Sequence, residues 1–138
     1  MRTLLLTLVV ASTVHAADPP PDVIDFFRSV TRALAEARPD DPRLPANASA
    51  FFDHIDPRMK GYADLHAYVD DLVSRVDIGS AVEFVTDEGD ANKRTLDLDW
   101  VLEIGDQAPR RRVLKCVIEK RGKKWKITAL DPVDFFKY

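Results

Sequence analysis

The sequence of 138 residues contains one cysteine and three histidines. Because Cys116 has no second cysteine as a partner, the chain cannot form an intramolecular disulfide. The apolar run from Leu4 to Val14 is too short to cross a bilayer as a helix. The chain also has no internal repeat and no low-complexity segment. These absences argue against a small fold stabilised by disulfides and against a helical membrane protein. The length suits one domain with a single core.

The first 16 residues have the features of a secretory signal peptide. Arg2 provides a positive start, an apolar run follows, and Val14-His15-Ala16 provides a cleavage signal. We therefore expect cleavage after Ala16 and an exported protein, periplasmic or extracellular, with no membrane span after cleavage. The remaining divisions are a proline-rich lead, residues 17–21, and a single domain, residues 22–138.

Metal and nucleic-acid functions have little support. His54 and His66 are the only histidines after the predicted cleavage site, and they lack a recognised ligand spacing and thiol support. We expect no metal site and no cofactor. The formal net charge of −3, without exposed aromatic residues for base stacking, argues against nucleic acid as a partner.

Charge is unevenly placed along the chain. Residues 17–92 hold 7 Lys or Arg against 16 Asp or Glu, a net of −9, whereas residues 93–126 hold 11 against 5, a net of +6. Basic runs such as Arg110-Arg111-Arg112 would suit an anionic ligand or surface. The interpretation we favour is that they solubilise turns and protect edge strands from strand addition.

Three segments have the spacing of amphipathic helices. The first begins at Asp22, a predicted N-cap, and ends near Arg38 before two prolines. The second is suggested by apolar residues from Ala48 to Ile55, with Asn47 as cap and Pro57 after it. The third follows Gly61, carries its apolar face from Leu65 to Val76, and ends at Gly79.

From Ser80 onward the apolar period changes from helical to two, which predicts strands. Short connections between them indicate an antiparallel meander, and Phe135 and Phe136 are expected to pack back on the domain. The predicted strands are 81–86, 95–104, 110–120 and 125–130, with a loop over 87–92. The face covered by helices is predicted to contain Leu96, Leu98, Trp100, Leu102, Ile104, Leu114, Cys116, Ile118, Trp125 and Ile127.

This pattern resembles the nuclear transport factor 2-like superfamily, which includes SnoaL-like cyclases and ketosteroid isomerase. The resemblance is carried by the three helices, by the strand Trp125-Lys126-Ile127, and by its Asp131-Pro132 exit. It implies an α+β fold in which three N-terminal helices pack on a strongly bent four-stranded antiparallel sheet. A cone with an apolar pocket, and dimerisation through the sheet, are further features that the resemblance implies.

The catalytic residues of that superfamily do not transfer to this chain. Asp97 and Asp99 alternate with apolar residues and are therefore expected to face away from a pocket. Tyr62 and His66 are spaced i, i+4, so in a pocket they would serve as proton donor and general base. The alternative, which we favour, is a boundary tyrosine and a surface histidine.

The function expected from these residues is that of an exported, non-catalytic module that binds a small apolar ligand, forms a homodimer through its outer sheet face, or does both. The alternative is a SnoaL-like or isomerase-like enzyme that uses His66 with Tyr62. Residues Val101, Val113 and Val117 make the outer face partly apolar. The ligand-binding candidates are Trp100, Tyr62, His66 and Cys116.

Overall fold

The computed structural model describes residues 18–138, which form an α+β structure with three α-helices and one four-stranded antiparallel sheet. The helices are α1 (Pro21–Ala35), α2 (Ser49–Phe52) and α3 (Tyr62–Arg75). The strands are β1 (Ile78–Gly89), β2 (Lys93–Ile104), β3 (Arg110–Arg121) and β4 (Lys124–Asp131), followed by a short 3-10 helix, Val133–Phe136. The strand order β1-β2-β3-β4 is the predicted meander. The predicted signal peptide lies outside the described residues.

Helix α1 differs from its prediction at both ends. Pro20 is the N-cap residue and Pro21 the first helical residue, so Asp22 is not the cap. Proline suits this position because its fixed φ is helical and its missing N–H would have no helical partner. The helix ends at Ala35, before the predicted Arg38, whose guanidinium instead donates to the carbonyls of residues 73 and 74 near the end of α3.

Helix α2 is only four residues long, and the predicted continuation to Ile55 is wrong. Ile55 forms a parallel bridge with Ile127 of β4. The amide of Asp56 donates to the Ile127 carbonyl at 2.9 Å, and the Ile127 amide donates to the His54 carbonyl at 2.8 Å. Pairing with the sheet edge therefore satisfies backbone groups that a longer helix would have satisfied internally.

The predicted end of the third helix at Gly79 is also wrong. Val76 is already extended, and Gly79 lies inside β1, where it pairs with Glu103. Strand β1 continues past its predicted end to Gly89, since a bulge between Phe84 and Thr86 shifts the register and lets pairing with β2 resume. The predicted loop over 87–92 is thereby reduced to residues 90–92.

The interior lies between the helices and the inner face of the sheet. All ten residues predicted for this face are buried. The Trp100 ring meets Phe136 edge-on at 5.2 Å between ring centres, and its indole N–H donates to the Ser80 hydroxyl at 2.9 Å. Phe136 also lies near Phe51, which confirms that the tail packs back on the domain. Large side chains therefore occupy the centre of the fold.

The outer sheet face carries cross-strand ion pairs. Lys115 Nζ lies 3.3 Å from an Asp97 carboxylate oxygen, and Arg111 Nε lies 3.1 Å from Asp99. Asp97 and Asp99 therefore point away from the interior, in agreement with the alternation of β2. Val113 has 51% of its surface exposed on the same face, so this polar face also contains exposed apolar area.

Candidate functional site

Tyr62 and His66 occupy neighbouring positions on α3. Their ring centres are 5.8 Å apart, and the His66 imidazole stacks on Phe52 of α2 at 4.2 Å. His66 Nδ1 lies 2.9 Å from a carboxylate oxygen of Asp70, one turn further along the helix. The carboxylate and the stacked ring together fix the orientation of the imidazole, as in the carboxylate–histidine pairs of general bases.

The surroundings of this pair are open. The His66 side chain is 45% exposed and that of Asp70 is 51% exposed. Neither Tyr62 nor His66 lines any of the five most pronounced surface grooves of the described residues. The arrangement thus supplies an oriented imidazole that is open to solvent.

The other two ligand-binding candidates lie in the interior. Trp100 and Cys116 have no accessible surface, and neither lines one of the five grooves. Burial raises the pKa of the Cys116 thiol, so the thiol remains protonated and unreactive. In the described fold both residues act as core residues.

A groove that the sequence interpretation did not anticipate lies between α1, α2 and β4. Its volume is about 580 Å³, and we name it the α1–β4 groove. Half-buried Phe26 and the edge of Trp125, which is 6% exposed, provide aromatic surface, while Ser29 and Ala50 are small. A polar rim completes the lining with Asp53, His54, Lys124 and Lys126. Aromatic surface with a few polar groups is the usual character of a small-molecule site.

The aromatic side chains of the α1–β4 groove are held in place by contacts with residues behind it and on its rim. The Trp125 indole N–H donates to the Asp22 carboxylate at 2.9 Å, and the Lys120 ammonium lies 4.7 Å from the centre of the same ring. Phe26 packs edge-on against both Phe27 and His54, at 5.1 and 5.6 Å between ring centres. These contacts restrict ring rotation, so the groove is largely preformed.

The charged residues of the polar rim affect the pKa of His54. Burial lowers the pKa of His54, the nearby Lys126 and Lys124 lower it further, and Asp53 partly opposes this effect. The imidazole is therefore neutral at pH 7. The Lys126 ammonium donates to the backbone carbonyl of Asp53, which ties β4 to the segment after α2.

Residues far apart in sequence build the groove. Phe26 lies on α1, His54 in the segment after α2, and Trp125 on β4. The parallel pairing of Ile55 with Ile127 brings the segment after α2 beside β4. No local sequence signal predicts that pairing.

A separate charged cluster surrounds Asp56, whose side chain is only 8% exposed. The Arg58 amide donates to this carboxylate at 2.9 Å, and Arg58 and Arg121 add guanidinium contacts of 3.2–3.3 Å. These hydrogen bonds lower the pKa of Asp56 to about 2. The cluster fixes the loop between α2 and α3 and is a structural element.

Within residues 18–138, no group of three or more potential metal ligands is brought together, and no helix is long and apolar enough to cross a membrane. No protein-family model matches the sequence, and no curated protein matches it significantly. The relationship to the nuclear transport factor 2-like superfamily stays a prediction from the sequence pattern.

Proposed function

We propose that this protein is a non-catalytic binding domain whose ligand, a small and partly apolar molecule, occupies the α1–β4 groove. The observation that carries the proposal is the groove itself, with two fixed aromatic side chains and a volume of about 580 Å³. That volume lies within the usual range of small-molecule sites. Trp100 and Cys116 are fully buried, and Phe136 packs against Trp100, which favours a site outside the core.

The fold proposed for this domain is the nuclear transport factor 2-like cone. Support comes from the helices preceding an antiparallel four-stranded sheet and from the aromatic tail that packs against Trp100. Export is part of the same proposal, because the features of residues 1–16 are those of a signal peptide.

Fluorescence of the neutral apolar dye N-phenyl-1-naphthylamine tests the proposed site. We expect the dye to bind the wild-type protein, and Ala50→Arg, which inserts a long side chain into the groove, to weaken binding at least tenfold. Ala35→Arg, at an exposed position at the end of α1 outside the groove, is the matched control and should bind as wild type. Absence of binding, or equal binding by the Ala50→Arg variant, would overturn the proposal.

A second candidate function follows from the contact of 2.9 Å between His66 and Asp70. An imidazole held by a carboxylate beside Tyr62 is suited to move a proton in an isomerase-like reaction. The test is the conversion of a β,γ-unsaturated ketone to its conjugated isomer, followed by ultraviolet absorbance. A rate above background that His66→Gln abolishes would favour the enzyme, whereas a rate unchanged by that substitution would rule out this site.

The proposed interaction function is homodimerisation through the outer sheet face. On this face Asp97 and Asp99 of β2 already pair with Lys115 and Arg111 of β3, so a second copy that covers the face would not bury these four charges unpaired. Exposed Val113 supplies apolar area between the charged rows. Sedimentation of the wild-type protein tests the dimer directly.

A further inference from the structure

We infer that the ligand of the α1–β4 groove carries an anionic group beside its apolar part, and that Lys124 binds this group. The inference rests on the proposed function and adds the chemical class of the ligand. Three properties of the rim support it: the balance of charge, the contacts that each charged side chain already makes, and the position of the cations relative to the aromatic walls.

The charge balance of the rim is positive. Lys124 and Lys126 outnumber Asp53, the one carboxylate in the lining, and His54 is neutral at pH 7. Both lysines flank Trp125 in sequence on β4, at the end of the basic segment from residue 93 to 126. The lining of the groove therefore carries a small excess of positive charge although the whole chain is acidic.

The two lysines differ in their engagement. Lys126 donates to the backbone carbonyl of Asp53, so it is already part of the structure that closes the groove. The Lys124 side chain makes no hydrogen bond and no ion pair with any residue in the described part of the chain, although it lines the groove and acts electrostatically on His54. Lys124 is thus the cation available to a ligand.

The aromatic walls determine how such a ligand would lie. Phe26 meets the His54 ring edge-on, and Lys124 and Trp125 both line this groove from neighbouring positions on β4. An apolar body that contacts Phe26 and Trp125 would place a terminal charged group at the lysine side of the groove. The fit is to a compact amphipathic anion, such as an aromatic or short aliphatic acid, and charge complementarity identifies this occupant.

Two dyes with the same ring system isolate the contribution of charge. 1-Anilinonaphthalene-8-sulfonate carries one sulfonate, and N-phenyl-1-naphthylamine has no charge. We expect Lys124→Gln to lower the affinity for the sulfonate dye about two- to fivefold, which is the change in affinity expected when one partly exposed ion pair is lost. The affinity for the neutral dye should not change. Lys123→Gln, a neighbouring lysine that does not line the groove, should change neither affinity.

Salt provides an independent measurement. The affinity of the sulfonate dye should fall between 0.05 and 0.5 M sodium chloride in the wild type, and the Lys124→Gln variant should lose most of this dependence. The neutral dye should show neither change.

The outcomes separate the inference from the function on which it rests. Suppose that Ala50→Arg abolishes neutral-dye binding, but that Lys124→Gln lowers the affinity for both dyes equally or changes neither affinity. The anionic ligand class is then wrong, and the groove remains the site. The same conclusion follows if the neutral dye binds and the sulfonate dye does not. If the neutral dye does not bind, the proposed function itself fails, and the ligand class falls with it whether or not the sulfonate dye binds.

Discussion

The indole Nε1 of Trp125 donates a hydrogen bond of 2.9 Å to the carboxylate of Asp22, joining β4 to the first turn of α1 across 103 positions. This hydrogen bond is the main reason that the pKa of Asp22 lies below its ordinary value, and Lys120, 3.8 Å from the same carboxylate, adds to the effect. The contact sets the position of a groove wall, and it explains why Asp22, predicted as a helix cap, has a tertiary role instead.

Removing this carboxylate should destabilise the fold. We expect Asp22→Ala to lower the free energy of unfolding by about 1 kcal/mol, because one hydrogen bond to a charged acceptor at a partly exposed site is lost. Urea denaturation at pH 7 measures the change. Asp25→Ala, which removes only an exposed ion pair with Arg28 on the same helix, is the control and should stay within about 0.5 kcal/mol of wild type. Equal losses in both variants would contradict the role of the Trp125 contact.

Asp56 should make stability depend on pH in the acid range. Its pKa is about 2 in the folded protein against an ordinary value of 3.8. A group with a lowered folded-state pKa contributes fully above its unfolded value and loses the contribution as pH falls through the folded value. The stabilisation by Asp56 is therefore complete above pH 5 and is lost on acidification toward pH 2.

The measurement compares wild type with Asp56→Asn by urea denaturation at pH 7 and near pH 2. At pH 7 we expect the variant to be less stable by about 1–2 kcal/mol, reduced from the full pKa shift because the arginine partners are exposed. Near pH 2 the difference should fall to about 0.4 kcal/mol or less, because linkage leaves only about RT ln 2 when the pH equals the folded-state pKa. A difference that is independent of pH would contradict the assigned cause.

Gly89 and Gly122 both have positive φ values, +148° and +67°, but their surroundings differ. A Cβ at position 89 would lie 2.2 Å from the Lys93 carbonyl oxygen across the β1–β2 turn, whereas one at position 122 would meet nothing within 4 Å. We expect Gly122→Ala to cost about 1 kcal/mol, the conformational penalty alone. Gly89→Ala should cost more than about 2 kcal/mol, because the backbone must also shift. Equal thermal unfolding temperatures for the two variants would contradict this difference.

The alternation of apolar residues in β2 was sufficient to predict its buried face. Leu96, Leu98, Trp100, Leu102 and Ile104 are all buried, because a period of two places them on the same side whatever the partner strands are. The tight connections after residues 104 and 121 likewise indicated antiparallel neighbours. Local geometry determines both features, so they could be predicted without tertiary information.

The features that build the groove depend on distant contacts. Ile55 fits a helical stripe, yet its backbone pairs with Ile127, which lies 72 positions later. The bulge after Phe84 is another example, since it extends β1 through residues whose composition suggested a loop. Propensity is a weak guide wherever pairing with a sheet edge satisfies the backbone better than the local alternative does.

A charged residue at the centre of the outer sheet face should prevent the proposed dimer. Val113 is 51% exposed on β3 and lies opposite Asp99 of β2, and Val117 on the same strand pairs with Ala129 of β4. In an isologous interface each substitution occurs twice, so a lysine at either position would be desolvated in both copies.

We expect Val113→Lys and Val117→Lys each to weaken dimerisation at least tenfold in sedimentation velocity. Leu44→Lys, at an exposed position in the α1–α2 loop, is the control and should sediment as wild type. A dimer that tolerates both sheet substitutions would place the interface elsewhere, and a wild-type protein that sediments as a monomer at all concentrations would leave the groove as the remaining proposed site of function.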